Sequence, residues 1–129
     1  MLKAGILNPQ ILSLLARVRH TNTVVIADRG FPFWPEIETV DISLVDGIPR
    51  VLDVLKAMRA NYVIGHVWMA EEFNGANDPR TREEFGSALA GVPLTFEAHV
   101  ELKKRAPRAI GLIRTGDTAQ YANMIIESA

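Results

Sequence analysis

The chain predicts an α/β fold, a three-layer α/β/α sandwich around a mixed, mostly parallel sheet, on three observations. Short β-branched runs alternate with segments whose apolar residues recur at helical spacing. The junctions between them carry helix-start pairs such as Asn8-Pro9 and Asp78-Pro79, and glycine-containing turns. Apolar residues make up 48% of 129, which is ample for the core of one domain over residues 1–129.

Each element follows from a local reason. Asn8 suits a helix cap and Pro9 the first helical position, and Ile11, Leu12, Leu14, Leu15 and Val18 then form one apolar face. Thr23–Ala27 is a compact β-branched run, read as a buried strand that ends at Asp28. Residues 29–35, with Gly30, Pro32 and Pro35, are a loop. Val40, Ile42 and Leu44 alternate with Asp41 and Ser43 as in a strand with one polar face. Asp46-Gly47-Ile48-Pro49 is expected to open a second helix with Ile48, Val51, Leu52, Leu55 and Met58 on its apolar face. Residues 62–69 read as a central strand. Asp78-Pro79 starts a third helix, which runs to Leu89 and ends before Gly91 and Pro93. A short strand at 94–96, a short helix at 98–106 and a strand at 109–113 follow. Residues 114–117 form a turn in which Gly116 is free to adopt positive φ, and 121–126 is the last strand.

Composition narrows the function. Fourteen basic and fifteen acidic side chains leave a net charge of −1, with no basic block to neutralise phosphates, so nucleic acid is a poor partner. No cysteine is present, which removes disulfides, thiolate metal sites and a cysteine nucleophile, and fits a cytoplasmic setting. The opening Met1-Leu2-Lys3-Ala4-Gly5 shows no leader pattern, and the apolar-rich stretch 62–70 is too short to span a bilayer. No G-x-S-x-G, G-x-x-x-x-G-K-[ST] or G-x-G-x-x-G motif occurs.

The candidate chemistry is scattered at the ends of elements, where α/β proteins build sites. His20 lies between the first helix and the first strand; it either caps carbonyls or catalyses. Asp28 lies just past that strand, and either caps a turn or serves a site; proximity of the two is allowed by the chain and not required. Tyr121 and Asn123, two apart on one predicted strand face, would present a hydroxyl and an amide suited to a polyol. His99 reads by itself as a surface residue of a short helix, and His66 as a hydrogen-bonded core histidine. Trp34 could stack on a sugar or fill a subunit contact, and Arg114 has no assigned role. The three histidines show no metal-ligand spacing, so no metal is expected.

Six segments together resemble the D-ribose pyranase and L-fucose mutarotase family: the opening 5–8, the stretch 18–23 around His20, residues 27–32 around Asp28, Asp46-Gly47-Ile48-Pro49, Met69-Ala70-Glu71-Glu72, and above all 113–123. The resemblance covers nearly the whole chain. It implies an isomerase that interconverts β-pyranose and β-furanose forms of D-ribose without cofactor. His20 would be the acid/base group; Asp28, His99, Tyr121 and Asn123 would contact the sugar, with Ala122 lending backbone. It also implies cytoplasmic homo-oligomeric rings, often decamers of two stacked pentamers, with sites near subunit boundaries. An L-fucose mutarotase, or a non-catalytic sugar-binding accessory to transport, is the alternative. His99, where mutarotases tend to have an aromatic residue, tilts the reading to ribose. Arg19, Arg29 and the short tail after Ile126 depart from the family pattern. The chemistry suits histidine: ring opening protonates the ring oxygen and deprotonates the anomeric hydroxyl, and an imidazole near neutral pKa serves both.

Overall fold

The run Thr23–Ala27 forms strand β1 in the computed structural model, which describes residues 1–129. Its alternating side chains face two separate layers: Val24 and Ile26 enter one apolar cluster, Val25 and Ala27 the other. A strand buried on both faces has no polar alternation, which is why the segment reads as continuously apolar.

The remaining elements are α1 (Pro9–Arg17), β2 (Glu38–Asp41), α2 (Val51–Arg59), β3 (Ile64–Ala70), α3 (Glu72–Ala76), α4 (Pro79–Ala88), β4 (Leu94–Glu97), α5 (His99–Arg105), β5 (Gly111–Arg114) and β6 (Met124–Ser128). A 3₁₀ turn, Ala106–Arg108, extends α5. The six strands form one sheet in the order β2-β5-β1-β6-β3-β4. β6 is antiparallel to both of its neighbours, β1 and β3, while the other pairs are parallel. The sheet is therefore mixed and mostly parallel, as the sequence predicts. β3 is an interior strand but not a central one; β1 and β6 occupy the centre.

One face carries α1, α2, α3 and α4, whose Leu14, Leu55, Met58, Phe73 and Phe85 pack on Val24, Ile26, Met69, Met124 and Ile126. The other face is covered by α5 and its 3₁₀ extension, through Leu102, Ala106 and Ala109, on Val25, Leu112 and Ile125. This is the three-layer sandwich. The helix starts behave as their sequences require: the Asn8 side chain accepts from Ile11 N at 2.9 Å, and Asp78 accepts from Thr81 N at 2.8 Å.

Several local expectations change, among them the strand read through Leu44, which ends at Asp41 and leaves Leu44 75% exposed. The second helix begins at Val51, and Ile48 is 54% exposed in the preceding turn, because the backbone of 45–48 pairs with itself in a tight bridge. The last strand begins at Met124, since Tyr121 has a φ of +56°, which no strand residue adopts. α3 escapes a reading by pattern because five residues give no period to detect. Gly116 does not have positive φ; it is required by close approach. A Cβ there would stand 2.3 Å from Val45 O and 2.6 Å from Ile48 O. Gly116→Ala is therefore expected to lower the unfolding free energy by about 3 kcal/mol, read by urea denaturation. An unchanged midpoint would show that the 45–49 turn yields freely.

Candidate active site

The antiparallel insertion of β6 decides where a site forms. The amino end of β6 lies between the carboxyl ends of β1 and β3, and β3 pairs in parallel with β4. Asp28 follows β1, His99 follows β4, and Gln120, Tyr121 and Asn123 precede β6. These three segments meet around an open cavity of about 300 Å3, completed by Gly30, Phe31 and Pro32. Crevices outside the carboxyl ends of strands are the usual binding places in α/β sheets.

Asp28 is held from several directions. Its Oδ1 accepts from Gly30 N at 2.9 Å, so it closes a turn as well as facing the cavity. Asn123, 2% exposed, accepts from Asp28 N through Oδ1 at 2.8 Å and donates through Nδ2 to Asp28 Oδ2 at 3.1 Å. The backbone N–H of Asp28 can only donate, which fixes the orientation of the Asn123 amide and aims its nitrogen at the carboxylate. Arg114 adds bonds from its guanidinium to Asp28 O at 3.3 Å and Pro32 O at 3.2 Å, a role that its place in a predicted turn does not reveal. Burial pushes the Asp28 carboxyl above its ordinary value of 3.8, while the amides of Gly30 and Phe31 and the Asn123 side chain pull it back in part.

His99 forms the opposite wall. Its ring meets the Tyr121 ring edge-on, with centroids 5.0 Å apart, and lies 6.0 Å from Phe31. Its Nε2 is buried and has no hydrogen-bond partner within the chain. Burial, then Lys103, lower the His99 pKa below 6.5, against the opposing pull of Glu72 and Asp28. Both effects favour the neutral ring, in which one nitrogen donates and the other accepts. The site thus offers a carboxylate, a neutral imidazole, an amide and a phenol to a small polyhydroxylated ligand.

Of the residues singled out in the sequence, Asp28, His99, Tyr121 and Asn123 come together here, although Tyr121 and Asn123 do so through a turn and not along a strand face. Ala122 between them is buried in the helix-covered core, and its side chain is not part of the cavity wall. Gln120 and Pro32 also line the cavity; both lie in segments that carry the family resemblance, 113–123 and 27–32, but neither is singled out there as a site residue. Phe31 is 4% exposed and belongs to the second apolar cluster, while Phe33 is 68% exposed and Trp34 half-buried. His66 is half-buried on the sheet and not in the core; it shares a 2.8 Å hydrogen bond with Thr95 Oγ1 and lies against Trp68.

His20 is not in the cavity. It is exposed on the turn before β1, whereas Asp28 follows β1, so the five-residue strand separates them by about 15 Å. A larger groove of about 660 Å3 between α2 and α4 is lined by Arg50, Lys56, Arg80, Glu83 and Glu84. Arg50 and Glu84 pair there at 3.0 Å, and none of the buried unpartnered polar atoms lies in it. The cavity at Asp28 and His99 is the better candidate.

Comparison with known proteins agrees with this fold. The model of the RbsD / FucU transport protein family matches residues 1–129. A D-ribose pyranase of Geobacillus thermodenitrificans is 40% identical over 99% of this chain and 96% of its own length. One from Geobacillus kaustophilus is 41% identical over 99% of this chain and 93% of its own. Among solved structures, Bacillus subtilis RbsD complexed with D-ribose superimposes with a TM-score of 0.92 at 29% identity, covering 100% of this chain and 98% of that one. The fucose mutarotase of Streptococcus pneumoniae shares the fold, with a TM-score of 0.83 at 18% identity over 99% and 98% of the two chains.

The two perturbed groups can be read directly. Carbon-detected NMR is expected to show Asp28 titrating above 3.8, and His99 titrating below 6.5. The sign for stability is opposite for the two. Asp28 takes its proton earlier in the native state than in the unfolded chain, so acid favours the fold as pH falls from its native pKa towards 3.8. His99 takes its proton later than in the unfolded chain, so the fold loses stability as pH falls from 6.5 through the native pKa. A His99 that titrates at or above 6.5 would contradict a neutral ring at the site.

Proposed function

Because the chain belongs to the RbsD / FucU transport protein family, we propose that it interconverts the β-pyranose and β-furanose forms of D-ribose, with the sugar held at the Asp28–His99 cavity. One observation carries the assignment of the site: His99, whose buried Nε2 has no hydrogen-bond partner within the chain, lines the same cavity as Asp28, Tyr121 and Asn123. An unmade hydrogen bond in such a place costs about 1–3 kcal/mol, and a sugar hydroxyl would supply it. The relatives named D-ribose pyranase and the ribose complex of the Bacillus subtilis protein support ribose as the sugar.

The reaction needs only proton movements. A proton goes to the ring oxygen as the anomeric hydroxyl loses one; the ring opens to the aldehyde and recloses through a different hydroxyl. We assign the acid/base role to His20. Asp28, His99, Tyr121 and Asn123 bind hydroxyls, and the backbone at Ala122 faces the sugar. No metal or organic cofactor enters this scheme.

His20 cannot reach the cavity of its own chain, so in this reading it comes from a second copy. It is well presented for that. The 19–22 turn is closed by Asn22 N to Arg19 O at 3.0 Å and by Arg19 N to the Asn22 side chain at 3.0 Å, which leaves His20 outward on a fixed loop. One copy then offers the start of β1 while its neighbour offers the region past the end of β1. Where each copy meets two different neighbours through these patches, the contact is heterologous, and a rotation that closes makes a ring. The assembly we propose is a homopentamer ring or a decamer of two such rings, in the cytoplasm.

His20→Ala is expected to fold normally and to lose ring exchange by about 10²–10⁴-fold, measured by saturation-transfer NMR on D-ribose. Co-expression of His20→Ala with Asp28→Asn tests the sharing of sites. Random mixing leaves about one quarter of the junctions with both an intact His20 and an intact Asp28, so activity returns to that fraction. No recovery in verified mixed rings would overturn the two-copy site. Light scattering that shows a stable monomer would do the same.

Substrate choice is tested at His99. His99→Phe is expected to weaken D-ribose exchange by about 1–3 kcal/mol while affecting L-fucose exchange less. Equal losses, or a wild type that prefers L-fucose, would assign the chain to the mutarotase activity instead.

A further inference from the structure

We infer that α3 is a positioning bracket for the sugar site: Glu72 at its first residue holds the backbone of His99, and Asn77 just past its end holds the backbone of Gln120, so that this one short helix sets the spacing of the His99 and Tyr121 walls.

Both Glu72 carboxylate oxygens accept from His99 N, at 2.9 and 3.2 Å. The N-cap of α5 is Ala98, whose side chain has no acceptor, and the carboxylate from α3 satisfies the first free N–H of the helix, that of His99. At the other end, the Asn77 amide nitrogen donates to Phe73 O at 2.8 Å and to Gln120 O at 2.8 Å. An amide nitrogen has two protons, and both are used. Gln120 directly precedes Tyr121, the residue held at φ +56°, a conformation that persists only where its surroundings enforce it.

The helix between these two ends does not slide. Phe73 is buried and packs against Phe85 with ring centroids 4.7 Å apart. Glu71 N donates to Glu97 O at 2.8 Å, which ties the start of α3 to the end of β4. His99 and Tyr121 lie far apart along the chain, and their edge-on contact is thus set on one side by Glu72 and on the other by Asn77. The charge of Glu72 also faces the His99 ring, with Lys103 and Asp28 as the other charged groups acting on it.

This inference rests on the sugar-binding reading of the cavity and adds residues that touch no substrate. The bracket governs the binding walls and not His20, so its loss is expected in KM more than in kcat. In the full-length oligomer, Glu72→Ala and Asn77→Asp are each expected to raise KM for D-ribose about tenfold, with kcat changed less than about twofold. Asn77→Asp keeps the size of the side chain and removes both donors. Glu72→Gln keeps an acceptor for His99 N, so it is expected to restore most of the affinity while lowering the His99 pKa further, since a negative charge is lost. Unchanged KM in Glu72→Ala and Asn77→Asp would overturn the bracket, as would a Glu72→Gln as impaired as Glu72→Ala. A measurement on the wild type does not depend on any variant folding: the His99 backbone N–H is expected to be protected from hydrogen exchange, and rapid exchange would overturn the contact. Calorimetric ribose affinity separates this idea from the functional one. Wild type that binds ribose without exchanging its rings sinks the isomerase reading, while the affinity series still decides the bracket.

Discussion

The two hydrogen bonds between Asn123 and Asp28 are the joint on which the site depends. They connect the end of β1 to the start of β6 across 95 residues of sequence: the Asn123 amide accepts from the backbone N–H of Asp28 and donates to its carboxylate. One amide side chain thereby fixes the direction of the chain leaving β1 and the direction of the Asp28 carboxylate. The surrounding bonds extend the same joint. Thr115 Oγ1 donates to Ala27 O at 2.8 Å, and Asp117 O accepts from Arg29 N at 3.1 Å. Asp117, itself buried, also accepts from Val51 N at 2.8 Å, which brings the start of α2 into the same network.

The candidate site built on this joint carries a stability cost that the core offsets. Asp28 is drawn partly out of water and its ionised form is disfavoured. Tyr121 occupies left-handed backbone space, where a non-glycine residue costs about 1–3 kcal/mol. The Nε2 of His99 lacks a partner. These three costs fall within one small cavity, while the two apolar clusters behind it contain side chains such as Ile26, Leu55, Ile113 and Met124 with no exposed surface. The pattern is that of a rigid two-layer core supporting a locally disfavoured surface, the condition under which a ligand can restore what the free protein lacks.

The antiparallel direction of β6 has a second consequence. Because only this strand reverses, its start shares an edge of the sheet with the ends of β1 and β3. An all-parallel sheet would send the 120–123 turn to the opposite edge, beside the turn that carries His20. The reversal therefore gathers Asp28, His99, Tyr121 and Asn123 at one edge and leaves His20 at the other. In the proposed ring, that separation of functional groups is what makes contact between copies a requirement for catalysis.

Much of this is legible in the residues themselves. Periods of two and 3.6, the caps Asn8 and Asp78, and the loop prolines are interactions within a few residues, so they locate most helices and strands and the α/β class. Composition restricts the partners, and the motif segments around His20, Asp28 and 113–123 identify the family and the candidate polar groups. What tertiary structure alone decided is which of those groups meet. The positive φ of Tyr121, the need for glycine at 116, the capping of α5 by Glu72 and the partition of His20 from Asp28 all arise from contacts between segments distant in the chain. Local pattern has no access to such contacts, because the free energy that enforces them comes from packing and hydrogen bonds made only after the sheet order is set.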